Sequence, residues 1–370
     1  MQRRIVIAPD SFKGTATAPE VARAIERGWR RVRPEDSTVL LPMADGGEGT
    51  IDALETSDPG AARMMLRVRG PLGVPVDAAL LKLSDGTWIV ELAETSGITR
   101  LEAVSRFSAC TASTFGLGEA IRFATSRGAQ NVLVALGSSA STDAGAGMLQ
   151  ALGAKLLDAS GRDIGPGNVG LHDLASVDLS GIAMLPPRGI VALTDVTNPL
   201  LGKRGAAAVF GPQKGAASED IVEFESGLAR FAELVGLEPD APGAGAAGGT
   251  AYGLLAIGAT ISPGAATIAE AIRLHETIAS ADLAITGEGS FDTQSLAGKV
   301  PSEVIEAAIA ASTPTVVLAG RVADEVANDR VRGVAATWSL SELAGSAESA
   351  MRETELWAET AGARAAASAF

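Results

Sequence analysis

The chain opens on an alternation of strand and helix, and this constrains its fold more than any other feature. Ile5-Val6-Ile7 is a short apolar run stopped by Ala8-Pro9-Asp10, and Thr17-Ala18-Pro19-Glu20 has the form of a capping box. Apolar positions at Val21, Ala24, Ile25, Gly28, Trp29 and Val32 give the helix that follows one face to bury. Thr38 to Leu41 reads as a second strand, and a helix takes over from Ile51. Strands separated by helices pair in parallel, so this opening predicts an α/β protein with a parallel sheet.

The texture changes from Arg63 to Glu91. Short runs at Met65 to Val68, Val74 to Leu83 and Trp88 to Leu92 are separated by Gly70-Pro71-Leu72-Gly73 and Ser84-Asp85-Gly86, which predicts hairpins. Strand and helix alternate again around Asn131 to Leu136 and Gly189 to Leu193. Further strands at Leu283 to Ile285 and Thr315 to Leu318 place both chain ends in one sheet around an inserted middle. The expected domains are 1–62 with 282–370, and an inserted α/β domain over 63–281. Ala344 to the terminus reads as one long Ala/Glu helix, and the Ala/Gly-rich stretch Ala241 to Gly249 is not read as a linker despite its composition.

Composition removes several function classes. At 370 residues with 46% apolar residues, the chain has material for two cores. A net charge of −14 provides no broad field to attract a phosphate backbone or anionic lipid, so nucleic-acid and membrane-surface roles are disfavoured. Cys110 is the only cysteine, so no internal disulfide, thiolate cage or CxxC pair can form, and a reducing cytoplasm fits. The apolar run at the amino terminus meets Pro9-Asp10 too soon for a signal peptide, and no run reaches the roughly 18 unbroken apolar residues of a membrane helix. His172 and His275 are the only histidines, which leaves Ser-His or His-zinc chemistry little to work with.

What the loops do hold is Asp, Glu, Lys, Gly and Ser/Thr. The segment Thr286 to Pro301 follows an apolar run and carries Glu288, Asp292, Gln294 and Lys299, where an open α/β sheet presents ligands. Directly after the first strand come Asp10, Ser11 and Lys13, and a flexible ammonium there suits an anion. Asp45-Gly46-Gly47-Glu48-Gly49 pairs two acids with glycines, a pattern open to a hard cation or to a plain turn. Ser139, Ser141 and Asp143 lie between a strand and a helix, where backbone N–H groups and hydroxyls can hold an anion. Asp195 and Asn198 follow another apolar run, and an Asp at a strand end suits a general base or a metal ligand. Gly243 to Gly248 matches GxGxxG, yet Glu238-Pro239-Asp240-Ala241-Pro242 before it cannot be the strand that a dinucleotide site needs. A phosphate cradle at Gly245, Gly248 and Gly249 remains open. No GxxxxGK[ST] occurs, so the residues point to Mg²⁺-dependent phosphoryl transfer without a Walker loop.

These loops together resemble the bacterial two-domain glycerate kinases. The resemblance runs through IAPDSFKG (Ile7 to Gly14), ADGGEGT (Ala44 to Thr50), Gly137 to Gly145, DVTNPL (Asp195 to Leu200), VFGPQKGA (Val209 to Ala216), GAGAAGG (Gly243 to Gly249) and TGEGSFDTQSLAGKVP (Thr286 to Pro301). It implies a Rossmann-like domain made of both chain ends, an inserted α/β domain, an active site in the cleft between them, and transfer of the ATP γ-phosphate to D-glycerate, with 2-phosphoglycerate favoured as product. On this basis Asp45, Glu48 and Glu288 are expected to hold Mg²⁺. Lys13, Lys214 and Lys299 would offset anionic charge, and Asp195, with Asp292 next, would act on the acceptor hydroxyl. Asp10 joins the catalytic candidates. Ser11, Gly46, Gly47, Ser139, Ser141, Asp143, Asn198, Gly245, Gly248, Gly249 and Gln294 join the binding ones. The pattern departs at Ser138, Ser141, Thr142 and Ala144, and at Ser290, where the family often has Arg. Partners are small molecules, and a homodimer is left open.

Overall fold

The computed structural model describes residues 2–182, 184–327 and 331–368. Met1, Ala369 and Phe370, which belong to the expected chain-end domain and terminal helix, lie outside the described residues, as do Ala183 and residues 328–330. The chain forms two compact units, one of Met1–Asp45, Asp52–Pro59 and Pro263–Phe370, the other of Gly46–Ile51 and Gly60–Ser262.

The first unit is built on a five-stranded parallel sheet in the order Val334–Ser339, Thr315–Ala319, Leu283–Thr286, Arg4–Ile7, Ser37–Leu40. Ile5 pairs with Leu283 and Ile7 with Ile285, so the two chain ends share a sheet, as their apolar runs predict. From Arg4–Ile7 the chain winds one way to Ser37–Leu40; from Leu283–Thr286 it winds the other way. That reversal is a topological switch point, where open parallel sheets form a ligand crevice beyond the strands' carboxyl ends.

The helix Ala18–Val32 has the capping box expected of it: the Thr17 N–H donates to Glu20 Oε2 at 2.8 Å and the Glu20 N–H to Thr17 Oγ1 at 3.4 Å. Val21, Ala24, Ile25 and Trp29 are fully buried, whereas Val32, assigned to the same face, is exposed in the last turn. Trp29 Nε1 donates to Asp36 Oδ2 at 3.0 Å, so the ring is buried with its polar atom satisfied, worth roughly 2–3 kcal/mol of apolar transfer. This helix packs closely on Thr354–Ala367. A Cβ on Gly28 would collide with the Glu359 carbonyl, and one on Gly362 with that of Ile25.

The single long terminal helix does not form. Gly345 ends Leu340–Ala344 at φ 78°, Ser346 caps Ala347–Arg352 by accepting from the Ser349 N–H, and Glu353 breaks the path at φ −128° before Thr354–Ala367. Ala/Glu composition favours a helix but cannot override a left-handed glycine followed by a capping serine.

The second unit carries a six-stranded sheet in the order Thr260–Ser262, Ile190–Leu193, Asn131–Ala135, Thr87–Glu91, Pro75–Lys82, Ala62–Arg69. The first four are parallel; the last two run antiparallel as the predicted hairpins, with Gly73 at φ 81° and Gly86 at φ 87° in the turns. Lys155–Asp158 and Leu174–Asp178 make a separate antiparallel pair that the sequence pattern did not announce. Trp88 meets Phe123 edge-on at 6.0 Å, and Phe231 meets Tyr252 at 6.1 Å, in one continuous core. The Ala/Gly stretch is no linker, because Gly243, Ala244, Gly245 and Ala246 are buried and lead into the helix Ala246–Ala256. Among the described residues no helix is long and apolar enough to cross a membrane.

Candidate active site

In the first unit the switch point gathers carboxylates. The loop after Arg4–Ile7 is tied to the loop after Leu283–Thr286 by hydrogen bonds from Ala8 N–H to the Ile285 carbonyl at 2.7 Å, Asp10 N–H to the Gly287 carbonyl at 2.8 Å, and Thr286 Oγ1 to the Ala8 carbonyl at 2.9 Å. Gly287 is obligatory there, since a Cβ would collide with the Leu318 carbonyl. Asp10 and Glu288 are thereby fixed on the two sides of the crevice, with Asp45 close enough to act on both.

The electrostatics are those of crowded like charges. Burial, then the neighbouring Asp45, then Glu288 push the Asp10 carboxyl up to about 7, against an opposing hydrogen bond from the Ser11 N–H at 2.6 Å. Glu288 is also raised, chiefly by burial and further by Asp292 and Asp45, while Ser295 and Lys299 hold it down. Glu288 Oε1 is buried without a hydrogen-bond partner.

Asp292 sits at the edge of this cluster and caps the turn Thr293–Leu296, accepting from the Gln294 N–H at 2.8 Å and the Ser295 N–H at 3.3 Å. Gln294 is exposed, and Lys299 precedes the helix Val300–Ala311 as its amino-terminal cap. Lys13 is exposed, and Ser11 is half-buried beside Asp10. Ser290 pairs with Arg321 across two short parallel strands.

The second unit contains the glycine loops. Ser138 Oγ donates to Glu48 Oε2 at 3.2 Å, and Gly137 approaches Gly47 so closely that a Cβ would strike its Cα at 2.6 Å. Glu91, at the end of a central strand, is buried and accepts from the N–H groups of Gly49 and Ile51, which seats the loop Gly46–Gly49 on the sheet. Sequence pattern missed Glu91 because its partners lie 40 residues away. Asp195 is exposed just beyond Ile190–Leu193, and Asn198 Nδ2 donates to the Arg204 carbonyl at 2.7 Å while the Asn198 carbonyl accepts from the Gly245 N–H at 2.9 Å.

The serine-rich loop and the glycine run meet. Ser139 Oγ lies 3.4 Å from Ser141 Oγ and donates to the Ala247 carbonyl at 3.3 Å, and the Ala144 N–H donates to the Gly248 carbonyl at 3.1 Å. Ala247, Gly248 and Gly249 all take left-handed φ, at 53°, 68° and 85°, and Ser138 and Ala144 do so without being glycine, at 59° and 52°. Non-glycine residues at such φ store about 1–2 kcal/mol each, and such strain collects at ligand sites. The hydroxyls of this loop do not cap the following helix, whose N-cap is Gly145; the wholly buried Asp143 accepts from the Gly145 and Gly147 N–H groups at its start. Lys214 is buried against this loop, its Nζ donating to the Ser141 carbonyl.

Among the described residues no three His, Cys, Asp or Glu side chains close into a metal cage. Mg²⁺ in phosphoryl transfer commonly takes one or two carboxylates and completes its shell with phosphate oxygens and water. Two mutually repelling acids beside Asp10, one with a bare buried oxygen, fit that demand. Cys110 lines a groove with Arg106 and His172, away from these loops, and burial and Asp220 push its thiol up, away from nucleophilic use.

The Glycerate kinase family model matches residues 5–369. Glycerate 2-kinase of Escherichia coli K12 is 42% identical over 94% of this chain and 93% of its own, and a glycerate kinase of Halalkalibacterium halodurans is 39% identical over 96% of each. The crystal structure of a glycerate kinase 2 candidate from Salmonella typhimurium LT2 superposes with a TM-score of 0.85 at 38% identity, covering 100% of this chain and 98% of that one. The chain belongs to the glycerate kinase family, a family of phosphotransferases.

Proposed function

We propose that the protein transfers the γ-phosphoryl group of ATP to D-glycerate and forms 2-phosphoglycerate. The observation that carries phosphoryl transfer is the convergence of Asp10, Asp45 and Glu288 at the switch point of the first sheet. The acceptor is inferred from relatives named for glycerate, and the 2-position from the one named glycerate 2-kinase.

In this reading Asp45 and Glu288, with Glu48 from the glycine loop, would hold Mg²⁺, which would supply positive charge to offset that of the phosphates. Lys13 and Lys299 offset phosphate charge beside the acids, and Lys214 does so at the left-handed turn. Arg321, paired in register with Ser290, supplies the guanidinium for the acceptor carboxylate that position 290 lacks. Asp195, exposed at a strand's carboxyl end, orients the acceptor hydroxyl and receives its proton, with Asp292 next in line. Ser11, Gly46, Gly47, Ser139, Ser141, Asn198, Gly245, Gly248, Gly249 and Gln294 shape the binding loops.

The test is ADP release from MgATP with D-glycerate, L-glycerate and a panel of short hydroxy acids. Release that depends on D-glycerate supports the assignment, whereas release only with another acid moves the substrate to that acid. Asp195→Asn should lower kcat by about 10²–10⁴-fold while nucleotide affinity stays within twofold. Near-normal turnover would remove Asp195 from the role.

A further inference from the structure

Lys214 is 2% exposed, at the end of the turn Pro212–Lys214. An ammonium has three N–H donors, and among the described residues the Ser141 carbonyl is its one protein acceptor. A Cβ built on Gly248 would lie 2.9 Å from Nζ, so the ammonium rests directly against the left-handed turn Ala247 to Gly249.

Asp143, in contrast, has no acceptor capacity or freedom to spare. Its carboxylate accepts from the Thr114 N–H at 2.9 Å, Thr114 Oγ1 at 2.9 Å, the Gly145 N–H at 3.2 Å and the Gly147 N–H at 3.3 Å. Thr114 Oγ1 is itself fixed by accepting from the Met148 N–H at 3.0 Å. Four neutral donors lock a fully buried negative charge beside a fully buried positive one. A carboxylate so committed has no oxygen lone pair left for a substrate hydroxyl, and its field acts on Lys214.

We propose that Asp143 is a positioning residue that keeps Lys214 cationic and aimed across the Ala247–Gly249 turn, where the remaining ammonium N–H groups receive an anionic oxygen of the substrates. The proposal rests on the phosphotransferase reading and narrows it: Asp143 acts through Lys214, and the oxygen belongs to a carboxylate or a phosphoryl group. Burial pushes Lys214 down to about 8 and Asp143 opposes that shift, so the pair stands where loss of the carboxylate would discharge the lysine near neutral pH. Of the segments packed on Nζ, the loop 137–145 contributes only Asp143 as a charged group and the run 243–249 none. Beyond Gly215, Arg106 and Asp220 pair with each other at 2.6 Å.

The test is the pH profile of kcat/KM for D-glycerate with MgATP. The wild type should lose activity along an alkaline limb centred near 8. In Asp143→Asn that limb should move down by about one unit or more, with Asp143→Glu restoring part of the shift. A limb that stays in place while the rate falls would make Asp143 merely structural and overturn the proposal. Thr114→Val, which removes one of the four donors, should move the limb the same way by less, and it replaces Asp143→Asn if that variant does not fold.

Lysine ¹³C NMR separates this from failure of the kinase reading. The resonance missing in Lys214→Met should titrate near 8 in the free protein, and its midpoint should rise when D-glycerate alone, or inorganic phosphate alone, is added. A rise with D-glycerate identifies the carboxylate as the bound group, and a rise with phosphate identifies the phosphoryl group. No rise in either arm overturns the proposal whether or not the protein turns over.

Discussion

The two units handle charge in opposite ways. In the unit made of both chain ends, Asp10, Asp45 and Glu288 crowd one crevice, and burial, with repulsion from Asp45 and Glu288, lifts Asp10 to about 7. In the unit made of the middle, the buried Lys214 lies in the field of Asp143, and the loops around them carry little other charge. In the first arrangement Asp10, Asp45 and Glu288 repel one another, with Lys299 offsetting part of the charge at Glu288, and this favours taking up a cation. The second is compensated and can lend a positive charge to an anion without importing one. Phosphoryl transfer requires both.

The largest effect should come from breaking the acidic side. Glu288→Gln should lower turnover by about 10²–10³-fold and raise the Mg²⁺ concentration needed for half-maximal rate, since the site loses electrostatic stabilisation. An unchanged metal requirement would contradict the role given to Glu288. On the compensated side stability should respond as well. The folded value for Lys214, about 8, lies below the ordinary 10.5, so folding disfavours its charged form, and that cost is fully present below about 8. It fades as pH rises from 8 toward 10.5, so between pH 7 and pH 10 the wild type should gain up to about 3 kcal/mol relative to Lys214→Met in urea unfolding. A pH-independent difference would mean that Lys214 is neutral or well solvated.

Two smaller changes test whether the first unit's scaffold is separate from its chemistry. Gly28→Ala inserts a methyl group against the Glu359 carbonyl and should destabilise by about 1–3 kcal/mol without altering kcat per folded molecule. Ser312 ends the helix Val300–Ala311 at φ 57°, so Ser312→Gly should stabilise by about 1 kcal/mol, read as a rise in melting temperature.

What could be read from the sequence was local. The capping box Thr17/Glu20 involves residues three apart, and the apolar runs Ile5 to Ile7 and Leu283 to Ile285 declare their burial by composition alone. The edge strand Val334–Ser339 was hidden because its middle residues are only half-buried, so it shows no apolar run. The breaks at Gly345 and Glu353 were hidden by the helix-forming composition around them. Within the site, residue types at strand ends were legible, but roles that depend on distant partners were not. Glu91 holds a loop 40 residues before it, and Asp143 acts on a lysine whose Nζ reaches a carbonyl 73 residues back along the chain.

The most direct test is to incubate the protein with MgATP and D-glycerate, quantify ADP, and resolve the phosphorylated product by ³¹P NMR. ADP and 2-phosphoglycerate should appear in equal amounts, with little ADP when D-glycerate is withheld. ADP release that ignores D-glycerate, or no release despite measurable ATP binding, would contradict the assignment.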